Sequence, residues 1–207
     1  MRYMDELCAQ GKGKDVSAMQ IVGLTGKAGS GKSSVAEILK EIGFSVYSLA
    51  DVIKSSLIDL DPIIPTFTST VRLSELLKSS DLEQLKRTYP EIRRLMQVLG
   101  SEVIRSRDDG FWINQLQQKI VNDYPRKVVI TDVRFANEAH WVHQGYGSKV
   151  VLIQRPSNPD EIQGRTHQSE HGLPPELIDH TIINDGSMDY LRKAVLELDI
   201  GGINAKR

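Results

Sequence analysis

The chain is 207 residues long and 40% hydrophobic, enough for one well-packed domain carrying an inserted subdomain. Its 26 lysines and arginines against 27 aspartates and glutamates leave a net charge of -1, so no overall field exists to hold a nucleic-acid polymer or an anionic membrane. One cysteine, Cys8, excludes an internal disulfide framework and a multi-thiolate metal centre, and no apolar run approaches the roughly 18 residues of a membrane span. Together these features predict a cytoplasmic protein whose partners are small molecules.

Residues 1–18 are polar, with the run GKGKD at Gly11–Asp15, and are expected to form a mobile extension ahead of a single domain at 19–207, with Met19 as a candidate start. QIVGL at Gln20–Leu24 predicts a strand. After a glycine-rich loop, Val35, Ile38, Leu39 and Ile42 fall on one helix face, closed by Gly43 as a C-terminal cap. A strand at Phe44–Tyr47 and a helix at Asp51–Leu60, stopped by Pro62, complete a βαβ start. From 62 to 122 the segments VRLSELL, EIRRLMQVLG and FWINQLQQKIV carry helical periodicity, which predicts a helical insertion without strands. Alternation then resumes with a strand at Lys127–Asp132, a helix at Ala136–Gln144 and a strand at Lys149–Gln154. The proline-dotted, polar stretch 155–175 reads as an exposed loop able to act as a lid. A strand at His180–Ile183 and a helix at Met188–Leu198 follow, with no internal repeat anywhere.

Residues Gly26–Ser33, GKAGSGKS, satisfy GxxxxGK[ST] in full, between a predicted strand and a predicted helix, the context in which that spacing has physical meaning. Gly26, Gly29 and Gly31 allow the backbone amides of Lys27, Ala28, Ser30 and their neighbours to turn inward around phosphate oxygens, with the positive end of the following helix behind them. Lys32 is placed to reach the β and γ phosphates of ATP, Ser33 to ligate magnesium, and Ser34 to complete the cradle. This predicts ATP as co-substrate and Mg2+ as cofactor.

Asp132 ends the apolar run VVIT, where a parallel strand would aim a carboxylate at the magnesium shell, directly or through a water; capping of the next helix is the other use of an aspartate there. Arg134 follows two residues on, and the pair would point into the crevice at the carboxyl edge of the sheet. No NKxD guanine-reading motif is present. Arginines are supplied in the insertion (Arg87, Arg93, Arg94, Arg105, Arg107) and in the lid (Arg155, Arg165), as a small-molecule kinase requires, although most arginines simply cover surface. His140 and His143 read as a solvated or packed pair rather than metal ligands, and His167 as a candidate phosphate contact in the lid.

Beside the phosphate loop stand SLADVIK at Ser48–Lys54, RRLMQVLGSEVIR at Arg93–Arg105, Phe111–Trp112, ITDVRFANEA at Ile130–Ala139, QRP at Gln154–Pro156, HQSE at His167–Glu170 and IINDGS at Ile182–Ser187. In this order the chain resembles the phage-type deoxynucleoside monophosphate kinases. That resemblance implies an α/β P-loop NTPase fold: a five-stranded parallel sheet of nucleoside-monophosphate-kinase type, a helical acceptor-binding insertion and an arginine-bearing lid. It implies transfer of the γ-phosphoryl of Mg-ATP to a deoxynucleoside monophosphate, by a monomer or homodimer. Asp51, Lys54, Arg94, Gln97, Glu102, Arg105 and Trp112 would line the acceptor pocket, with Arg134 and Glu138 at the acceptor phosphate and sugar. Arg155 and Arg165 would stabilise charge in transfer, while Asn184 and Gly186 would lie beside the adenine of ATP. Trp112 as ordinary core and Asp51 as a helix cap remain open alternatives.

The opening IVGLTGKAGSGKSSVAEILKEIGF is equally similar to dephospho-coenzyme A kinases, and the segment from Pro62 to Arg87 matches neither family. Two other functions therefore stand beside the favoured one: dephospho-coenzyme A kinase, and an ATP-gated binding module with no small-molecule acceptor.

Overall fold

The computed structural model describes residues 19–156 and 172–198; the expected extension 1–18, most of the expected lid and the final residues lie outside the described residues. The elements run β1 (Gln20–Thr25), α1 (Lys32–Glu41), β2 (Ser45–Tyr47), α2 (Leu49–Leu60), β3 (Ile63–Pro65), β4 (Thr70–Arg72), α3 (Leu73–Leu76), α4 (Leu82–Thr88) and α5 (Pro90–Gln97). A π-helical segment (Val98–Val103) continues α5, and α6 (Phe111–Asp123), β5 (Lys127–Ile130), α7 (Ala136–Val142) and β6 (Lys149–Gln154) follow. A single 3-10 turn (Pro175–Leu177), β7 (His180–Ile183) and α8 (Met188–Leu196) come last. The described residues divide into two compact units, one comprising 19–48, 117–156 and 172–198 and the other Leu49–Leu116.

The first unit is built on a five-stranded sheet of order β2-β5-β1-β6-β7, parallel at every pairing. Strands in such a sheet are covered on both faces, which is why QIVGLT and KVVI read as near-continuous apolar runs. On one face Val22, Leu24, Val129, Val151 and Ile153 meet Val35, Ile38 and Leu39 of α1 and Leu191 and Val195 of α8 in a single buried cluster. On the other face Gly23 leaves room for Val133 and for Val142 of α7; an added Cβ would stand 2.9 Å from a Val133 methyl. The end of α1 is the predicted glycine cap: Gly43 takes φ 93°, its N–H bonds the Lys40 carbonyl at 3.0 Å, and the Phe44 N–H bonds the Leu39 carbonyl at 3.1 Å.

The second unit is helical, and it starts earlier than the span 62–122 read from the sequence, because Leu57 of α2 belongs to its core with Ile64, Leu73, Leu82, Leu85 and Ile92. The expectation of an insertion without strands is corrected by the antiparallel pair β3 and β4, in which Ile64 faces Val71. Each strand has three residues, too few to display an alternation, and VRLSELL divides between β4 and α3 instead of forming one helix. Asp61, at φ 46°, anchors the pair: its carboxylate accepts from the Ser74 N–H at 2.8 Å and the Ser74 hydroxyl at 3.1 Å.

Candidate functional site

The glycine-rich loop follows β1, the middle strand of the sheet, at the edge where open parallel sheets bind ligands. Gly31 stands at the N-cap of α1 with φ 106° and ψ 13°, a conformation that disfavours any side chain. Two neighbours hold the loop from outside. A Cβ on Gly26 would overlap the Ile153 carbonyl at the end of β6, and one on Gly31 would overlap the side-chain amide of Asn184 just past β7. The first turn of α1 holds no acidic residue, so its N–H groups face no competing carboxylate on their own helix.

Lys32 is half-buried and its ammonium donates to the carbonyls of Gly26 at 2.7 Å and Lys27 at 2.6 Å. Burial, and after it the positive Arg134, lower its pKa from 10.5 to about 8, against the opposing pull of Asp132. The three side chains Lys32, Asp132 and Arg134 thus share one electrostatic environment. Asp132, placed by the turn after β5, accepts from the Ser48 hydroxyl at 2.9 Å, a partner that sequence reasoning missed. The Ser33 hydroxyl is exposed on the first turn of α1. No group of three or more metal-ligating side chains stands among the described residues. Magnesium requires none, since it keeps several waters and takes one or two protein oxygens with substrate phosphates; Ser33 and Asp132 fit that use.

Glu138 is 2% exposed and its Oε2 accepts from the N–H of Arg134 at 2.7 Å and of Phe135 at 3.1 Å. It fixes the loop carrying Asp132 and Arg134 from behind. The signal in the sequence is a glutamate at the third position of α7, where a carboxylate reaches back to the N-cap backbone.

Asn184 donates from Nδ2 to the Ser30 carbonyl at 2.9 Å, and its own N–H bonds the Gln154 carbonyl at 2.7 Å. Gly186 lies two residues on, against the Tyr190 ring. Arg155 is exposed at the end of β6, whereas Arg165 and His167 lie outside the described residues. His143 bonds Asp179 at 2.9 Å, and Asp179 also accepts from the Val150 N–H, so this histidine has a structural partner.

In the helical unit Asp51 and Glu83 flank Lys54 at 2.9 and 3.0 Å. Burial pulls the Lys54 pKa down, but the hydrogen bonds its ammonium donates to both carboxylates outweigh it and hold it above its ordinary value. Arg94 is exposed and makes a two-pronged contact with Glu91, both distances 2.7 Å, while Gln97 and Glu102 are exposed and Arg105 half-buried. Trp112 is 1% exposed and its indole N–H bonds the Gly100 carbonyl at 2.9 Å, so it is part of the unit's interior. Gly100 sits in the π-helical segment, and a Cβ there would come 2.9 Å from an Ile53 methyl.

A parallel sheet with a GxxxxGK[ST] loop after its central strand, a half-buried lysine in that motif and a carboxylate in the turn after the neighbouring strand β5 define a P-loop nucleotide-binding protein. Residues 68–195 match the family model for deoxynucleotide monophosphate kinase, and the chain belongs to that family. It is also similar to the deoxynucleoside-5'-monophosphate kinase of Escherichia phage T5, 30% identical over 115 residues, 53% of this chain and 46% of that relative. The alignment therefore spans under half of the relative's length. Among solved structures, TT1252 from Thermus thermophilus is 21% identical with a TM-score of 0.48, over 86% of this chain and 96% of that one. A dephospho-CoA kinase from Campylobacter jejuni is 15% identical with a TM-score of 0.44, over 85% of this chain and 93% of that one.

Proposed function

We propose that the chain transfers the γ-phosphoryl group of Mg-ATP to a deoxynucleoside monophosphate, giving the diphosphate and ADP. The observation that carries this reading is the convergence of Lys32, Asp132 and Arg134 beside the phosphate loop, in a chain of the deoxynucleotide monophosphate kinase family. Gly26 to Ser34 would enclose the ATP phosphates with backbone amides, and Lys32 would leave the loop carbonyls for the β and γ oxygens. Magnesium held by Ser33 and Asp132 would supply charge neutralisation across those oxygens. Arg134, with its backbone fixed by Glu138, would hold the acceptor phosphate, and Arg155 and Arg165 would offset charge developing on the transferring group. No strong general base is required, because the attacking oxygen belongs to a phosphate that is ionised at neutral pH.

The acceptor contacts are assigned to Asp51, Lys54, Arg94, Gln97, Glu102 and Arg105. Trp112 would act from beneath them by bonding the Gly100 carbonyl. Asn184 and Gly186 complete the ATP site. We read the protein as acting in the cytoplasm, as a monomer or homodimer, on small molecules and without a nucleic-acid or membrane partner; no helix of the described residues is long and apolar enough to cross a membrane.

ADP release from Mg-ATP tests the proposal, measured without acceptor, with each of four deoxynucleoside monophosphates, with their ribose counterparts and with dephospho-coenzyme A. Stimulation by one or more deoxynucleotides is expected. Stimulation by dephospho-coenzyme A alone, or turnover indifferent to acceptor, would overturn it in favour of the other kinase or of an ATP-gated binding module.

A further inference from the structure

We propose that Asn184 is a positioning residue for the phosphate loop, a clamp that sets the orientation of the Ser30–Gly31 peptide so that the Gly31 N–H faces bound phosphate. The inference rests on the reading of Gly26–Ser33 as the site of the ATP phosphates. Within that reading it gives Asn184 a role distinct from any contact with the adenine.

The Ser30 carbonyl can only accept a hydrogen bond, so the Asn184 atom 2.9 Å away is the N–H2 group and the amide orientation follows from its partner. The same peptide unit carries the Gly31 N–H on its opposite side. Holding the carbonyl outward therefore fixes the N–H inward, because the peptide is planar and trans. Gly31 itself supplies no stiffness: at φ 106° a glycine has several other conformations open to it, and it has no side chain to pack. Stiffness comes from Asn184, whose own N–H bonds Gln154 at 2.7 Å and whose side chain fills the volume where a Gly31 Cβ would project. The clamp thus ties the loop after β1 to the ends of β6 and β7, residues 154 positions apart in the chain. The Ser30 residue is 1% exposed, and its hydroxyl meets no hydrogen-bond partner among the described residues. The neighbouring peptides are held within the loop and helix, by the Ser30 N–H to the Lys27 carbonyl at 3.2 Å and the Val35 N–H to the Gly31 carbonyl at 3.1 Å, and the Asn184 side chain adds the bond to the Ser30 carbonyl itself.

Three probes separate a clamp from a base contact: Mg-ATP, Mg-tripolyphosphate, which has no base, and adenosine, which has no phosphate. Binding of each is measured by calorimetry to the full chain and to Asn184→Ala and Asn184→Asp. Loss of one hydrogen bond should weaken ATP and tripolyphosphate by the same factor, about 3- to 10-fold for Asn184→Ala. Adenosine binding should be unchanged. Asn184→Asp keeps the shape but sets a carboxylate against the Ser30 carbonyl, so it should lose more than the alanine variant on both phosphate probes. Because it preserves packing, it also serves if the alanine variant unfolds, with the thermal midpoint as the check. Under saturating ATP, kcat should fall less than kcat/KM, the split expected of a residue that shapes the binding loop.

Weaker ATP binding with unchanged tripolyphosphate binding would overturn the clamp in favour of a base contact, and unchanged binding of both would remove the residue from the site. If the unaltered chain takes up neither phosphate probe, the clamp falls together with the phosphate-loop reading. If it takes up both but turns over no deoxynucleotide, only the acceptor assignment falls.

Discussion

In the sheet-centred unit, the phosphate loop and the Asp132–Arg134 loop follow the largely buried strands β1 and β5, and each is held by groups from elsewhere in the unit. The phosphate loop is pressed by the Ile153 carbonyl and by Asn184, and the Asp132–Arg134 loop is held by Ser48 and Glu138. The helical unit has no such frame. Its candidate acceptor residues sit on α2, α5, α6, the π-helical segment and the turn after it, and several of its charges form exposed pairs such as Glu91–Arg94 and Glu75–Lys78. Exposed pairs of this kind contribute little to stability. The contrast is that the proposed phosphate site is shaped by backbone geometry, whereas the proposed acceptor contacts are side chains on helices and one irregular turn.

Four changes test that contrast. Lys32→Ala should reduce turnover by a factor on the order of 10²–10³ while circular dichroism remains that of the parent fold; near-normal turnover would remove the phosphate-loop assignment altogether. Trp112→Phe deletes the hydrogen bond to the buried Gly100 carbonyl, which should cost about 0.5–1.5 kcal/mol. The loss should raise KM for the acceptor and spare KM for ATP. Trp141 remains as the sole tryptophan, so its fluorescence in a urea titration reports the sheet unit of this variant.

The third change is pH. With its pKa lowered to about 8, Lys32 of the free chain gives up its proton as pH rises through 8, and ATP affinity should then fall by up to about tenfold per unit. Conformational stability should move the other way. Because the folded pKa lies below the ordinary 10.5, this group penalises the folded state at low pH, and the penalty is relieved as pH climbs from 8 towards 10.5. Lys54 is shifted upward, so acceptor affinity should not follow the ATP profile. Parallel KM profiles for the two substrates would break the assignment of these lysines to separate tasks. The smallest effect is expected from Gly43→Ala, where a side chain meets nothing within 4 Å but must adopt φ 93°. It should lower stability by about 1 kcal/mol in a thermal melt and leave kcat and both KM values unchanged.

Much of the sheet unit was legible in the sequence because its signals are local. The runs QIVGLT, KVVI and KVVLIQ announce buried strands, Gly43 announces a helix end, and GKAGSGKS needs its glycines for a backbone reason that any reader can reconstruct. What escaped was either short or distant. The three-residue strands β3 and β4 fall below the length at which alternation shows, and LMQVLGSEV keeps a helical spacing of apolar residues whether the turn is α or π. The bond from Asn184 to Ser30 joins two loops that no sequence period relates. Ser48, next to a helix start, would be taken for a cap before it would be matched with Asp132.

The π-helical segment has one more implication, which concerns length rather than composition. At Val98–Val103 the backbone closes over five residues instead of four, as the Ile104 N–H to Leu99 carbonyl bond shows. A helix accommodates such a turn when it carries one residue more than its α-helical spacing requires. Deleting one residue here would return the turn to α geometry and leave the faces beyond it nearly where they are, because the wider turn already absorbs the extra residue. A relative one residue shorter between Gln97 and Arg105 should therefore carry an α turn there and present the residues beyond it on the same faces.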